Sequence, residues 1–327
     1  MTSVSVFVPC YNEEKTIRLL LEALHQQTYP LDCLEVVLAD GMSGDETRRR
    51  IAQFQTEHPQ LTVRVVDNPK RNIPAGLNRA IEAARGDILI RMDAHSVPAR
   101  DYVARCVEAL ETGKGENVGG VWEIRPGGDG WVARSIAAAA AHPLGVGDAL
   151  YRYTTQASYV DTVPFGAFRR ETLIGQGKYD ESLLSNEDYE LNTRIRKNGG
   201  RIWLDPQIRS VYFARSSFGA LARQYFRYGF WKLRMLRRYA ETLRPRQALP
   251  PLFVLSLIGL LGLGLVLPLA RILLLIEVVV YLIALLAGAV PVALRKKDLA
   301  LVAGVPCAIT VMHLSWGSGF LASLLRK

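Results

Sequence analysis

Along the first hundred residues, short apolar runs alternate with segments whose apolar positions recur at helical spacing. Val4-Ser5-Val6-Phe7-Val8 reads as a first strand stopped by Pro9. The turn Cys10-Tyr11-Asn12-Glu13-Glu14 then leads into a helix with Ile17, Leu20, Leu21 and Leu24 on one face. Residues 34–39 predict a second strand ending on Asp40-Gly41, and Ser43-x-x-Glu46 has the spacing of a capping box that opens the next helix. A third strand is predicted over 61–66, a helix over 74–85 ended by Gly86, and a fourth strand over 88–91. Strands and helices alternating through short links predict an α/β fold, a mostly parallel sheet with right-handed crossovers. Farther on, 117–124 and 159–165 read as strands, the second ending at Gly166, and 131–141 as an Ala-rich helix; 142–153 has no periodicity.

The last third is different in kind. Residues 249–270 carry no charge, 272–294 only Glu277, and 299–325 no Asp, Glu, Lys or Arg. Each is long enough for a bilayer span of about 20 residues. Arg271 is the short link predicted between the first two, and Gly259, Gly262 and Gly264 suit close helix packing. Glu277 and His313 are costly in lipid and are expected to face protein, water or a headgroup. Before these spans, 216–239 mixes Leu221, Phe226, Phe230, Leu233 and Leu236 with Arg223, Arg227, Lys232, Arg234, Arg237 and Arg238. That pattern predicts one or two interfacial amphipathic helices. The expected organisation is therefore a 1–214 α/β domain, 215–247 basic juxtamembrane helices and a 248–327 transmembrane region.

Charge changes the choice of partner. The net charge is +9, which by itself suggests nucleic acid. Yet residues 1–208 hold 24 basic against 28 acidic side chains, whereas 209–246 hold 10 basic and only Glu241. An excess confined to the segment before the spans fits a belt facing anionic membrane lipids, and no nucleic acid is expected. Arg295-Lys296-Lys297 is placed in the cytoplasm by the positive-inside rule. With an even number of crossings before it, the N-terminal domain is cytoplasmic too, at a bacterial cytoplasmic (inner) membrane. A third full crossing would put Arg326-Lys327 outside, so a re-entrant or tilted last segment is an open alternative. Cys10, Cys33, Cys106 and Cys307 have no metal-ligand or disulfide spacing. The first residues lack a basic region and a signal-length apolar stretch, so no cleaved signal peptide is expected.

Neither a Walker lysine motif nor G-x-G-x-x-G follows the first strand, so no usual phosphate cradle of an ATPase or dehydrogenase is present. The strand ends carry acids instead: Glu13, Asp40 and Asp93. Ligands sit beyond the carboxyl ends of strands in open α/β sheets. On extended backbone Asp93 and His95 point the same way and can grip one cation; the alternative is a turn in which both bond nearby backbone. Ser185-x-x-Asp188 reads either as a variant capping box or as an acid held at a helix N-terminus, where the carboxylate form is favoured.

Five stretches in order carry a resemblance: Val8-Pro9-Cys10-Tyr11-Asn12-Glu13-Glu14, Ala39-Asp40-Gly41-Met42-Ser43-Gly44-Asp45, Met92-Asp93-Ala94-His95, Ser185-Asn186-Glu187-Asp188-Tyr189-Glu190 and Gln224-Tyr225-Phe226-Arg227-Tyr228. From about residue 4 to 240 the chain resembles family 2 glycosyltransferases with the GT-A fold, and within them the succinoglycan-type exopolysaccharide glucosyltransferases. The resemblance implies that Pro9, Tyr11 and Glu13 line a nucleoside and that Asp40 faces the uracil edge. It implies that Arg71 and Asn78 approach the base or diphosphate, and that Asp93 holds a divalent cation (Mn2+ or Mg2+). His95 stands where the family has a second acid, and neutral imidazole suits manganese better than magnesium. Asp188 takes the place of the general base, with Glu187 beside it. From the residues themselves, Gly166 either lets a sugar approach backbone or marks a tight bend, and 142–153 is expected as a loop over the acceptor. Gln224, Arg227 and Tyr228 match a Gln-x-x-Arg-Trp motif, with Tyr in place of Trp, that meets acceptor and diphosphate in processive synthases.

The function expected is an inverting transfer of glucose from a UDP-sugar donor to a polyprenyl-diphosphate-linked acceptor. Alternatives are a polyprenyl-phosphate sugar synthase, a processive polysaccharide synthase, or a catalytically silent nucleotide-sugar-binding module.

Overall fold

The computed structural model describes residues 1–325. In chain order the elements are β1 (Val4–Cys10), α1 (Ile17–His25), β2 (Leu34–Asp40), α2 (Thr47–Glu57), β3 (Thr62–Asp67), α3 (Ile73–Ala83), β4 (Ile88–Arg91), β5 (Ser96–Pro98) and α4 (Tyr102–Glu111). Then come β6 (Asn117–Pro126), α5 (Trp131–Ala140), α6 (Pro143–Val146), β7 (Ser158–Tyr159), β8 (Ala167–Arg169), α7 (Arg170–Gly175), α8 (Glu187–Lys197) and β9 (Ile202–Ala214). Four longer helices close the chain: α9 (Phe218–Leu236), α10 (Pro245–Gly264), α11 (Pro268–Lys296) and α12 (Ala300–Leu324). The chain forms two compact units that interleave in sequence, one from Met1–Glu123 with Tyr153–Tyr212 and the other from 124–152 with 213–325. The sequence pattern predicts consecutive domains instead; the segment 124–152 folds with the C-terminal helices.

In the first unit the sheet runs β3-β2-β1-β4-β8-β6-β9-β5, with β7 on β9. Strands β1 to β4 are mutually parallel, while β8 runs antiparallel to β4 and to β6. Every residue of β4 is buried, as a strand flanked on both sides and covered on both faces requires. β4 is also the seam between the parallel and antiparallel halves, so its C-terminal end is where the strand order opens a crevice. The core gathers Val6 and Val8 of β1, Val36 and Leu38 of β2, Ile88 and Ile90 of β4, and Leu20, Leu21 and Leu24 of α1. All four cysteines are free thiols.

Pro9 does not end β1, which continues to Cys10. Met92 N–H donates to Phe7 O and Gly41 N–H to Cys10 O, so Phe7 and Pro9 face the β4 side. Pairing with β4 stops at Phe7↔Arg91, and the N–H that proline lacks therefore has no ladder partner to lose. The capping box at Ser43 and Glu46 is not formed. Helix α2 starts three residues later than that box implies, at Thr47, and Asp45 accepts from Thr47 N–H at 3.0 Å and from its hydroxyl at 2.6 Å. Asn72 caps α3 by accepting from Ala75 N–H at 3.0 Å, with Pro74 in the first turn. The apolar run 159–165 is not a strand: after β7 the chain turns through Phe165 (φ 65°) and Gly166 (φ 90°) before pairing as β8. Pro164 in that run has no ladder donor, and Thr162 is instead drawn to Asn192, whose amide donates to its hydroxyl at 2.9 Å.

In the second unit α10, α11 and α12 are each long and apolar enough to cross a membrane. The first predicted span ends early. Residues 265–267 form the link, Pro268 opens α11, and Arg271 reaches back to donate to Gly264 O at 2.5 Å and Leu265 O at 3.3 Å. A cation thus neutralises the carbonyl end of α10. Glycines set the closest approaches: a Cβ on Gly229 of α9 would stand 2.1 Å from Trp316 O, and one on Gly319 would stand 2.1 Å from Phe226 O. Glu277 accepts from Ser256, and His313 bonds Tyr281 at 3.0 Å and Leu144 O at 2.9 Å. Both costly residues therefore face protein.

Gly86 joins α3 to β4 and donates its N–H to Ser5 Oγ at 2.7 Å. A Cβ there would lie 2.5 Å from Ser5 N and 2.6 Å from Val4 C, backbone atoms of the neighbouring strand. Gly86→Ala should destabilise the protein by about 1–3 kcal/mol, read as a lower denaturant midpoint of the full-length chain. An unchanged midpoint would mean that β1 and β4 separate more easily than their pairing implies.

Candidate active site

At the C-terminal ends of β1 and β2 the loops interlock through short polar bonds. Asn12 (φ 55°) donates its N–H to Ser43 Oγ at 2.9 Å, and Gly44 N–H donates to Asn12 Oδ1 at 3.0 Å. Glu13 N–H donates to Thr47 Oγ1 at 2.7 Å. Tyr11 stands half exposed beside Gly41. Asp40 is 0% exposed. Its oxygens accept from Ser43 N–H at 3.1 Å, Ser43 Oγ at 2.5 Å and Arg48 Nε at 2.5 Å. Burial pushes the Asp40 carboxyl up, but Ser43 and Arg48 outweigh it and hold it below the usual carboxylate range. The resemblance has Asp40 meet a nucleobase directly. Here its carboxylate orders the Gly41–Ser43 turn and Arg48, whose other branch pairs with Asp67 at 2.5 Å.

The end of β4 holds the second cluster. Arg91, the last residue of the strand, is 6% exposed, and its Nη2 lies 3.0 Å from Glu187 Oε1 and 3.4 Å from Asp93 Oδ1. Its guanidinium carbon stands 5.7 Å from the centre of the Tyr179 ring. Burial opposes the Arg91 charge, yet Asp93 and Glu187 outweigh it and the side chain stays protonated. Burial pushes the Glu187 carboxyl up, Arg91 pulls it down, and Asp188 next to it adds to the rise. Glu187 and Asp188 open α8 from Asn186, which is left-handed (φ 65°) and gives no side-chain cap bond. The capping box at Ser185 and Asp188 is therefore not made.

Beyond Arg91 the backbone is not extended. Ser96 donates its N–H to Asp93 O at 3.0 Å and its hydroxyl to the same oxygen at 2.7 Å, which closes a turn over 93–96. The extended-strand argument for pairing Asp93 with His95 thus fails. His95 Nδ1 lies 3.1 Å from Glu13 Oε1, so the turn brings His95 to the loop after β1 while Asp93 turns to Arg91. Among the described residues no group of three or more His, Cys, Asp or Glu side chains could hold a metal ion. The donor set still fits a cation of the kind that takes one or two protein ligands and completes its shell with phosphate oxygens. Asp93 and His95 both keep part of their side-chain surface exposed.

Other predicted residues are engaged by the protein itself. Asn78 donates to Tyr179 O at 2.9 Å and Glu181 Oε1 at 3.0 Å, and accepts from Tyr179 N–H at 3.0 Å. It latches the 179–181 segment onto α3, so its amide is not available to a base or diphosphate. Gly166 has a positive φ, and a Cβ there would meet Asn117 Oδ1 at 2.6 Å and the Phe168 ring at 2.8 Å. The Cβ side of Gly166 is therefore filled by protein, and its positive φ is that of a tight bend. Arg71 is left-handed (φ 54°) and exposed after β3, and Pro9 is half-buried in β1. In the second unit, on α9, Gln224 is buried and its amide donates to Tyr228 Oη at 2.8 Å, while Arg227 is exposed. The segment 142–153 is not a free loop: His142 caps α6, and Gly145 packs against Ile309 and Met312 of α12. Arg91, Arg48 and Tyr179 escape the sequence reading. Arg91 alone leaves a signal, a single charge inside an otherwise apolar strand.

The family model described as Glycosyl transferase family 2 matches residues 5–175. The succinoglycan biosynthesis protein ExoA of Rhizobium meliloti (strain 1021) is 34% identical over 331 residues, covering 99% of this chain and 96% of the relative. A dolichyl N-acetyl-alpha-D-glucosaminyl phosphate 3-beta-D-2,3-diacetamido-2,3-dideoxy-beta-D-glucuronosyltransferase of Methanococcus voltae is 26% identical over 334 residues, covering 100% and 98%. Among solved structures, the mannosyltransferase PcManGT from Pyrobaculum calidifontis, in complex with GDP-Man and Mn2+, matches with a TM-score of 0.69 at 22% identity. It covers 100% of this chain and 88% of that one. That likeness extends to the fold.

Arg48→Met leaves the buried Asp40 without its cation and should cost about 1–3 kcal/mol at neutral pH. Because the folded-state pKa of Asp40 is depressed, the stability it contributes is present above the ordinary carboxylate range and is lost as pH falls through the lowered value. The gap between parent and variant in denaturant titrations should therefore close as the solution is acidified through and below that range. A gap that does not change with pH would assign the loss to something other than this ion pair.

Proposed function

Because this chain belongs to glycosyl transferase family 2, we propose that it is an inverting, membrane-bound enzyme that moves glucose from UDP-glucose to a polyprenyl-diphosphate-linked saccharide in surface-glycan assembly. One observation carries the reading. The β4 end, with Asp93, and the α8 N-terminus, with Asp188, are held together by a single buried cation, Arg91. An acid for the diphosphate side and an acid for the acceptor side thus belong to one rigid cluster.

Asp188 takes the proton of the acceptor hydroxyl as its oxygen bonds to C1 of the sugar. The bond from C1 to the diphosphate oxygen breaks on the opposite face, and its electron pair leaves with UDP. Asp93, with His95 beside it, would hold a divalent cation, which when bound would supply charge neutralisation for the diphosphate. The Mn2+ bound to the Pyrobaculum mannosyltransferase supports a cation of this kind. Tyr11 and Glu13, on the loop after β1, line the nucleoside. The acceptor reading is supported by the lipid-linked saccharide in the name of the Methanococcus relative, and by the apolar helices α10 to α12. The ten basic residues of 209–246 supply attraction to anionic headgroups and to a lipid diphosphate. The catalytic unit lies on the cytoplasmic side, where Arg295-Lys296-Lys297 is placed by its charge.

Asp188→Asn should slow transfer by about 10²–10⁴-fold, with the KM for UDP-glucose little changed, measured as UDP release in the presence of lipid-linked acceptor. Mass spectrometry of the lipid product should show one added hexose per acceptor. Full activity in Asp188→Asn would redirect the reading to a lipid phosphate acceptor, which needs little help from a base.

A further inference from the structure

The cluster at the end of β4 contains more than the reaction needs. Arg91 sits in a strand whose other residues, Ile88, Leu89 and Ile90, are wholly apolar and buried. Burying a charge there is costly, and a hydrophobic side chain would serve stability at least as well. The guanidinium nevertheless spans two elements. Its backbone is fixed in register opposite Phe7 of β1, and its N–H donates to Gly166 O at 2.9 Å. From that anchor Nη2 reaches both Asp93, on the turn after β4, and Glu187, the first residue of α8. The ring of Tyr179 backs the guanidinium, and Tyr179 is itself latched to α3 by Asn78 on both its N–H and its C=O.

Helix α8 needs such an anchor. Its N-cap, Asn186, is left-handed and supplies no side-chain cap bond, so the first turn is not oriented by the usual capping interaction. Glu187 does the orienting through Arg91, and Asp188 follows it in the same turn. We propose that Arg91 is a positioning residue that, through Glu187 and Asp93, fixes the distance between the acid on the diphosphate side and the acid that accepts the acceptor proton. Arg91 touches neither reacting atom. It acts by geometry, and it keeps three neighbouring acids from repelling one another apart. The inference rests on the reading of Asp188 as the base.

The test uses the full-length protein in detergent with UDP-glucose, Mn2+ and a membrane lipid extract that contains polyprenyl-diphosphate saccharides. Arg91→Met should lower kcat by about 10²-fold, the cost of a misplacement on the order of 1 Å, while the KM for UDP-glucose moves by less than about threefold. Adding Glu187→Gln to Arg91→Met removes the stranded buried charge but restores no link from β4 to α8, so kcat should stay within about threefold of Arg91→Met alone. A parental kcat in Arg91→Met, a change confined to KM, or a double variant that regains parental kcat would each overturn the proposal. If Arg91→Met does not fold, Arg91→Lys decides: it keeps the charge but not the flat guanidinium that reaches both acids through Nη2 beside the Tyr179 ring, and it should lose kcat at constant KM, whereas parental kcat overturns the role. Asp188→Asn in the same assay separates the two levels. Retained transfer there overturns the base assignment, whereas loss there beside parental Arg91 variants overturns only the role of Arg91.

Discussion

A buried cation dictates the arrangement of the catalytic unit. Arg91 ends a strand with no exposed residue, and a guanidinium in that position is tolerated only with carboxylates at hand. Asp93 meets it from the turn that follows β4, and Glu187 meets it from the start of α8. The two acids lie 94 residues apart in the chain, so the ion pair ties a local turn to a distant helix. The sheet makes this possible. Because β8 enters antiparallel beside β4, the Gly166 carbonyl takes the Arg91 N–H, and the side chain is left to point beyond the strand end. The chemistry proposed for this site depends on that frame.

The cluster beyond β1 and β2 follows the same logic with another outcome. Asp40 is as buried as Glu187, but its neighbours are two groups of Ser43 and the Arg48 guanidinium, and its charge is well satisfied. Glu187 shares its cation with Asp93 and has Asp188 beside it, and its carboxyl is pushed up where that of Asp40 is held down. Each acid shares its arginine with another carboxylate, Asp67 in one case and Asp93 in the other; they differ because Ser43 donates twice to Asp40, whereas burial and the neighbouring Asp188 push Glu187 up. The first serves as a strut for the loop. The second belongs to a strained balance of charge, which is where catalytic groups are commonly found.

The strands β1 to β4 and the apolar helices were legible because burial forces patterns that survive in one dimension. A strand covered on both faces reads as an apolar run, and a bilayer-length helix reads as a long one. Where pairing and not pattern decides, reading fails. β5 and β8 are three residues each, defined only by the partners they meet, and β9 carries Asp205, Pro206 and Arg209 along its length. The run 159–165 reads as a strand from its β-branched and aromatic residues, Tyr159, Val160, Thr162, Val163 and Phe165, yet Pro164 and a left-handed Phe165 turn it. The site shows the same division. Motifs single out Asp93, Glu187 and Asp188 as candidates, but no motif states which acid finds which cation. Asn78 and Gly166 matched expected positions, yet the Asn78 amide is taken up by Tyr179 and Glu181, and the Cβ side of Gly166 is filled by Asn117 and Phe168.

The segment 124–152 shows why contiguity in sequence misleads about domains. Its helix α5 is an Ala-rich stretch with seven of its ten residues buried, which asks for close partners. α12 supplies one: a Cβ on Gly304 would stand 1.9 Å from Ser135 Oγ, so the two backbones approach as only glycine permits. Arg134 pairs with Asp298 at 2.7 Å just before α12, and His313 bonds the Leu144 carbonyl. Small residues, one ion pair and one imidazole bond are all features that pass for ordinary surface in a linear reading. Together they commit the segment to the C-terminal helices, because an all-alanine face has too little bulk to bury itself against anything that does not come within glycine distance.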